Sequence, residues 1–173
     1  MKRCILYLCG LLLGVLLDAA MKIESERLLL YPISEKEMEQ LIENEESLDL
    51  KQAYSEMLQG CLQEPEKRIW HALWFIELKS QRGTVVGDLS FKGLGADGMV
   101  ELGYGLRDGY CGNGYMTEAV KAISKWAISQ KGITRIEAET TVENKASQKV
   151  LAKAGFVPTG ANGEEGPRFV FQR

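Results

Sequence analysis

Glu101-Leu102-Gly103-Tyr104-Gly105-Leu106 and, three residues further on, Tyr110-Cys111-Gly112-Asn113-Gly114-Tyr115-Met116-Thr117-Glu118-Ala119 decide how this chain folds. The first run, with Val100, reads as a short strand. The second is a glycine-rich turn that opens a helix. Met116, Ala119, Val120, Ile123 and Ala127 then recur at the spacing of a single helical face, predicting a helix from Thr117 to Gln130. Glycines ahead of a helix let consecutive N–H groups converge on one point, where the positive end of the helix dipole adds its field. Such a turn can hold phosphate oxygens without any basic side chain. It also serves as a bare strand-to-helix link, so glycines alone leave both readings open. No Gly-Lys-Ser/Thr follows, which excludes a Walker loop. The residue three after Gly114 is Thr117, which excludes the dinucleotide pattern GxGxxG.

Working outward, residues 23–31 read as a first strand stopped by Pro32. Ser34 and Glu37 form a capping box, and Met38, Leu41 and Ile42 follow at helical spacing. A second helical stretch runs from Leu48 to Leu62. Trp74–Lys79 and Thr84–Phe91 read as a hairpin around Gln81-Arg82-Gly83. Beyond the glycine helix, Ile133–Val142 reads as a strand, Asn144 caps a helix ended by Gly155, and Phe156-Val157 and Phe169–Phe171 close the pattern. Strands lead and helices interleave, which predicts an α+β fold, an α/β sandwich with a mixed sheet.

The 173 residues are 45% hydrophobic and 26% charged, the profile of one globular domain. A net charge of −3 leaves no basic face for sequence-independent binding to nucleic-acid phosphates. Residues 1–20 stand apart, with only Lys2, Arg3 and Asp18 charged. They read as a signal-like or anchor-like leader, or as an extension ahead of a start at Met21. The domain proper would then be 21–173, with membrane association or export only if residues 1–20 are retained. Cys4, Cys9, Cys61 and Cys111 include no CxxC pair, so no metal site or disulfide framework is expected. Two unrelated domain cysteines suit a reducing, cytoplasmic setting. His71 is the single histidine and sits among Trp70, Leu73 and Trp74, where packing explains it better than a catalytic triad. Residues 22–66 hold twelve acidic and four basic side chains, either a solvated helix face or a negative rim that attracts a cation.

The Glu101–Leu106 strand, the Gly112–Ala119 turn, and Asn144-Lys145-Ala146-Ser147 followed by Leu151 and Gly155-Phe156 together resemble the GNAT N-acetyltransferase superfamily, in the branch that includes ribosomal-protein-alanine N-acetyltransferases. Ile23–Leu30 is similar to that branch's first strand, so the likeness covers about residues 21–173. It implies a single-domain, mostly antiparallel sheet flanked by helices. It implies acetyl-CoA as donor, its pyrophosphate on the backbone amides of Cys111, Gly112, Asn113, Gly114, Tyr115 and Met116, its arm along Leu106, and Asn144 facing that arm. The family's six-residue pattern ends in a small residue where this chain has Met116, which would crowd the pyrophosphate if the side chain turned that way. No metal is implied, and a monomer or homodimer is expected.

Moving an acetyl group from a thioester to an amine requires a neutral amine, a stabilised oxyanion and a protonated leaving thiolate. By the resemblance, Glu101 deprotonates the amine, and partial burial would suit it to that role. Ser147 is the first candidate to protonate the thiolate, because Leu151 stands where many members carry a tyrosine. Tyr104 and Tyr110 are the alternatives. Cys111 could be an activated thiol, but the family transfers directly and uses no covalent enzyme intermediate. The acceptor would be a primary amine, either a protein N-terminus or a small amine. Met116 and Leu151 also admit a CoA-binding module with little activity, and the leader admits a tethered or exported interaction domain.

Overall fold

The computed structural model describes residues 21–172, so the two readings of residues 1–20 lie outside the described residues. In chain order the elements are β1 (Ile23–Glu24), β2 (Leu28–Pro32), α1 (Glu35–Asn44), α2 (Leu48–Gln63), a 3-10 turn (Pro65–Trp70), β3 (Leu73–Leu78), β4 (Val85–Leu94) and β5 (Met99–Leu106). Then follow α3 (Tyr115–Ser129), β6 (Arg135–Glu139), α4 (Lys145–Ala154), β7 (Val157–Asn162) and β8 (Pro167–Gln172). All eight strands form one sheet in the order β1-β2-β3-β4-β5-β6-β8-β7. Every neighbouring pair is antiparallel except β5 with β6. This is the α+β fold with a mostly antiparallel sheet that the sequence predicts.

The parallel pair is short. Met99, Val100 and Glu101 face Arg135, Ile136 and Glu137, and there the register stops. β5 stays bonded to β4 as far as Leu106 opposite Gly87, while β6 continues only with β8. Residues 102–106 therefore have an open edge on the β6 side, and a wedge-shaped cleft begins just past Glu101. The predicted strand 133–142 is shortened to Arg135–Glu139 because the chain turns at Thr141 toward α4.

One face of the sheet packs against α3 and α4. Leu28, Leu30, Trp74, Ile76, Leu89, Val100 and Ile136 meet Met116, Ala119, Val120, Ile123 and Leu151, all buried. Each large aliphatic side chain removed from water there stabilises the fold by about 1.5–3 kcal/mol. Trp126 stacks on Trp70 at 5.3 Å and leans on Trp74 at 5.1 Å, tying α3 to the 3-10 turn and β3. The opposite face is covered only at the N-terminal end. There α1 and α2 enclose a second cluster around Ile33, Met38, Cys61 and Leu73. Arg68 is buried beneath them, bonded to Glu35 and to the Ile33 carbonyl.

The first strand differs from its sequence expectation, because residues 23–31 break at Ser25-Glu26-Arg27 into the β1–β2 hairpin. The cause lies on α3. The Glu118 carboxylate accepts hydrogen bonds from Ser25 Oγ, Arg27 N and Arg27 Nε, each at 2.7 Å. Arg27 then reaches the glycine turn, donating to the Asn113 carbonyl at 3.0 Å and lying 4.7 Å from the Tyr115 ring centre. One carboxylate thus fixes a hairpin and the N-terminus of α3 together. Burial pushes Glu118 upward, but donors from the Arg27 backbone, Ser25 and the Arg27 side chain hold it below its ordinary value. That stabilisation is full above the unfolded-state value and is lost as pH falls through the folded one. Replacing Glu118 by Ala is expected to lower the melting temperature by roughly 4–8 °C at neutral pH. The gap between Glu118→Gln and wild type should narrow below about pH 4.5, as followed by circular dichroism across pH.

Candidate active site

The cleft where β5 leaves β6 is an open pocket of about 250 Å³. Glu101, Gly103 and Tyr104 line it from β5. Thr140, Asn144 and Ser147 line it from the end of β6 and the start of α4. Sequence reasoning placed Glu101, Asn144 and Ser147 in one site, and the fold brings them to a single cleft.

Glu101 sits on the polar half of the sheet's second face. Lys92 Nζ lies 2.5 Å from one of its oxygens, and Arg168 Nη2 lies 3.6 Å from the other. Its register partner on β6 is another carboxylate, Glu137. Arg168 offsets this like-charge opposition by donating to Glu137 at 3.1 Å and pairing with Glu139 at 3.0 Å. Glu139 in turn accepts from the amides of Glu165 and Gly166, which anchors the β7–β8 loop beside the cleft. The bond to Glu101 holds Lys92 above its ordinary value, so that cation persists at any physiological pH. Lys92 and Arg168 went unnoticed in sequence, since nothing local distinguishes them from other surface cations.

Across the cleft, Ser147 Oγ and Tyr104 OH lie 2.9 Å apart, and either can donate. Ser147 is in the first turn of α4, and its N–H donates to the Asn144 cap at 3.0 Å. Burial pushes the Tyr104 phenol upward while its bond to Ser147 opposes the shift. The phenol therefore stays protonated throughout the neutral range. Leu151 is fully buried in the core and cannot reach the cleft. Tyr110 packs on the main core, and its carbonyl accepts from the Asn113 side chain.

The glycine turn follows β5 directly. Gly109, Gly112 and Gly114 have φ of 85°, 81° and 78°, a left-handed conformation that favours glycine. Asn113 Nδ2 braces the turn by donating to the Tyr110 and Cys111 carbonyls at 3.2 and 3.3 Å. Among the described residues, the backbone N–H groups of 111–116 have no acceptor within the chain, as expected at a helix start. Cys111, Gly112, Asn113 and Gly114 are exposed, and Tyr115 is half-buried against Arg27. Met116 points into the core, 5% exposed, so its side chain leaves the anion position free. The residues present fit a pyrophosphate on these amides, and the open edge at Leu106 suits an extended amide-bearing arm.

His71 Nε2 lies 3.0 Å from Glu64, with Gly60 and Gly93 making room for its ring, far from any serine–aspartate arrangement. A further carboxylate was missed in sequence. Asp88, on β4 beside Phe75 and opposite Gly105, faces α2. Burial pushes its carboxyl up to about 6, with Arg107 pulling only weakly the other way. The one available signal was an aspartate in mid-strand, a residue type depleted there.

The chain matches the family model described as the acetyltransferase (GNAT) domain over residues 26–157, and it belongs to that family. The uncharacterized N-acetyltransferase YjdG of Bacillus subtilis is 34% identical over 85 residues, 49% of this chain and half the length of that relative. RimL, a ribosomal L7/L12 α-N-protein acetyltransferase solved with coenzyme A, superposes with a TM-score of 0.68 at 19% identity, covering 88% of this chain and 98% of that one. The ribosomal-protein-S5-alanine acetyltransferase of Vibrio fischeri gives 0.67 at 19% identity, covering 88% and 96%.

Asp88 makes a prediction about stability. Its folded-state value lies above the unfolded one, so the folded protein loses stability as pH rises from about 4 to 6 and the carboxylate forms. Asp88→Asn should therefore melt higher than wild type at pH 8, and the difference should vanish below about pH 4, as read by differential scanning calorimetry.

Proposed function

We propose that this chain is an acetyl-CoA-dependent N-acetyltransferase that moves the acetyl group directly to a primary amine. The observation that carries this reading is one cleft with a carboxylate, Glu101, on one rim and a hydroxyl pair, Ser147 and Tyr104, on the other. The strand that lines the cleft, β5, runs on into the glycine turn whose amides start α3. Membership of the GNAT family and the CoA-bound form of RimL support the donor. When bound, acetyl-CoA supplies an activated thioester carbonyl. The amides of Cys111 to Met116 hold its pyrophosphate, the Leu106 edge aligns its arm, and Asn144 borders the arm.

Glu101 takes the proton from the incoming ammonium or amine, held in place by Lys92 and Arg168. As the new C–N bond forms and the C–S bond breaks, the nitrogen sheds its surplus proton to solvent, while Ser147 gives its proton to the departing sulfur and recovers one through Tyr104, which regains its own from solvent. The α4 N-terminus next to Ser147 favours the negative charge that develops there. Met116 and Leu151, the two residues that suggested a weakly active module, both face the core and take no part in the cleft. No helix among the described residues is long and apolar enough to cross a membrane.

Thiol release from acetyl-CoA over a panel of primary amines tests the proposal. Turnover is expected with wild type, and Glu101→Gln should lower kcat by roughly 10²–10⁴-fold near pH 7. Ser147→Ala should lower kcat more than Tyr104→Phe does, because Tyr104 acts through Ser147. Tight acetyl-CoA binding with no turnover on any amine would instead make this a CoA-binding module.

A further inference from the structure

The two oxygens of Glu101 keep different company. Oε1 lies 2.5 Å from Lys92 Nζ, whereas Oε2 lies 3.6 Å from Arg168 Nη2, beyond hydrogen-bond reach. The same Nη2 is 3.0 Å from Glu139 Oε2, and Arg168 Nη1 donates to Glu137 at 3.1 Å. One guanidinium thus stands among three carboxylates and pairs closely with two of them. Glu139 is directly opposite Arg168 in the β6–β8 register, so the sheet itself brings that pair together.

Glu139 is itself held in place. Its Oε1 accepts from the amides of Glu165 and Gly166, and its side chain is 7% exposed. Gly163 of the same loop lies against the pair, since a Cβ there would overlap the Glu139 carboxylate and crowd Arg168 Nε. The β7–β8 loop therefore covers the Glu139–Arg168 contact. The Gly166 amide, then the Glu165 amide and Arg168, outweigh burial and hold Glu139 below its ordinary value, so it is ionised throughout the neutral range.

Resting on the acetyltransferase reading, we propose that Glu139 is a positioning residue that draws Arg168 away from Glu101 and so leaves Glu101 Oε2 free to take the acceptor's proton. Closing the 3.6 Å gap to the roughly 2.7–2.9 Å of a charge-assisted hydrogen bond would occupy that oxygen and favour its charged form, which makes a poorer base. Glu139 prevents this by competing for the same N–H group. Around Glu101 stand Lys92 of β4, Glu137 and Glu139 of β6, Arg168 of β8, Glu165 of the β7–β8 loop and Tyr104 of β5. Arg135 is engaged by Glu137 and Asp97. Removing the Glu139 charge and moving Arg168 inward both favour ionised Glu101, so they act on its titration with the same sign. Removing Arg168 acts with the opposite sign.

The test compares Glu139→Gln with Arg168→Met in the full chain. The glutamine amide keeps an oxygen for the Glu165 and Gly166 N–H groups and loses the carboxylate that Arg168 meets. A crystal structure of Glu139→Gln should show Arg168 Nη2 within about 3 Å of Glu101 Oε2. The Glu101 carboxyl carbon, followed by nuclear magnetic resonance in the protein without acetyl-CoA, should titrate at least about half a pH unit lower in Glu139→Gln and at least about half a unit higher in Arg168→Met. With acetyl-CoA and one amine that wild type turns over, the acid limb of kcat/KM should move in the same two directions, and kcat near pH 7 should fall several-fold in Glu139→Gln. An Arg168 that stays where it is, or a Glu101 titration that holds or rises in Glu139→Gln, would overturn the positioning role while leaving N-acetyl transfer standing. Should Glu139→Gln fail to fold, Arg168→Met decides, since a Glu101 titration that does not rise there would overturn it too. Absence of turnover on every amine, with both titration shifts as expected, would overturn the catalytic reading and keep the coupling of Glu139 to Glu101 through Arg168.

Discussion

Three residue pairs hold β5 beside β6, and what lies past them depends on their being only three. Met99–Glu101 against Arg135–Glu137 is the single parallel contact in an otherwise antiparallel sheet. It places two carboxylates, Glu101 and Glu137, directly opposite each other, a cross-strand pair that repels. Arg168, Lys92 and Arg135 offset that repulsion from three directions. Beyond Glu101 β6 stays with β8 and β5 with β4, so the strands diverge. The divergence exposes the edge of 102–106, opens the cleft, and leads the chain straight into the glycine turn. A longer ladder would close the site, and a shorter one would leave the sheet without a continuous core across Val100 and Ile136.

The cleft is held from outside by bonds between residues distant in sequence. Glu118 links the helix start to Ser25 and Arg27, and Arg27 steadies Asn113 in the glycine turn. Arg168 ties Glu101's surroundings to the last strand. The glycine turn is thus tied through Arg27 to the start of the chain's first hairpin and to α3.

Local signals were legible. The capping box at Ser34, the α3 apolar face, the Asn144 cap and the Gly155 stop are each set by residues within a few positions, and all stand as expected. The motif order placed Glu101, Asn144 and Ser147 in one site. What depends on distant partners was hidden. The break at Ser25–Arg27 is caused by a carboxylate about ninety residues away. The Tyr104–Ser147 bond joins a strand to a helix forty-three residues on. The direction of Met116 follows from packing, which a motif alignment treats only as a size mismatch. Asp88 gains its character from burial under α2, and burial of a strand residue is set by tertiary structure.

The most direct test of the account is where the donor lies. Amide chemical shifts followed by nuclear magnetic resonance during titration with acetyl-CoA should move first and furthest at Cys111 to Met116, then along 103–106 and at Asn144 and Ser147, while α1 stays unchanged. Shifts concentrated on α1 or on the β1–β2 edge, with the glycine turn silent, would contradict it.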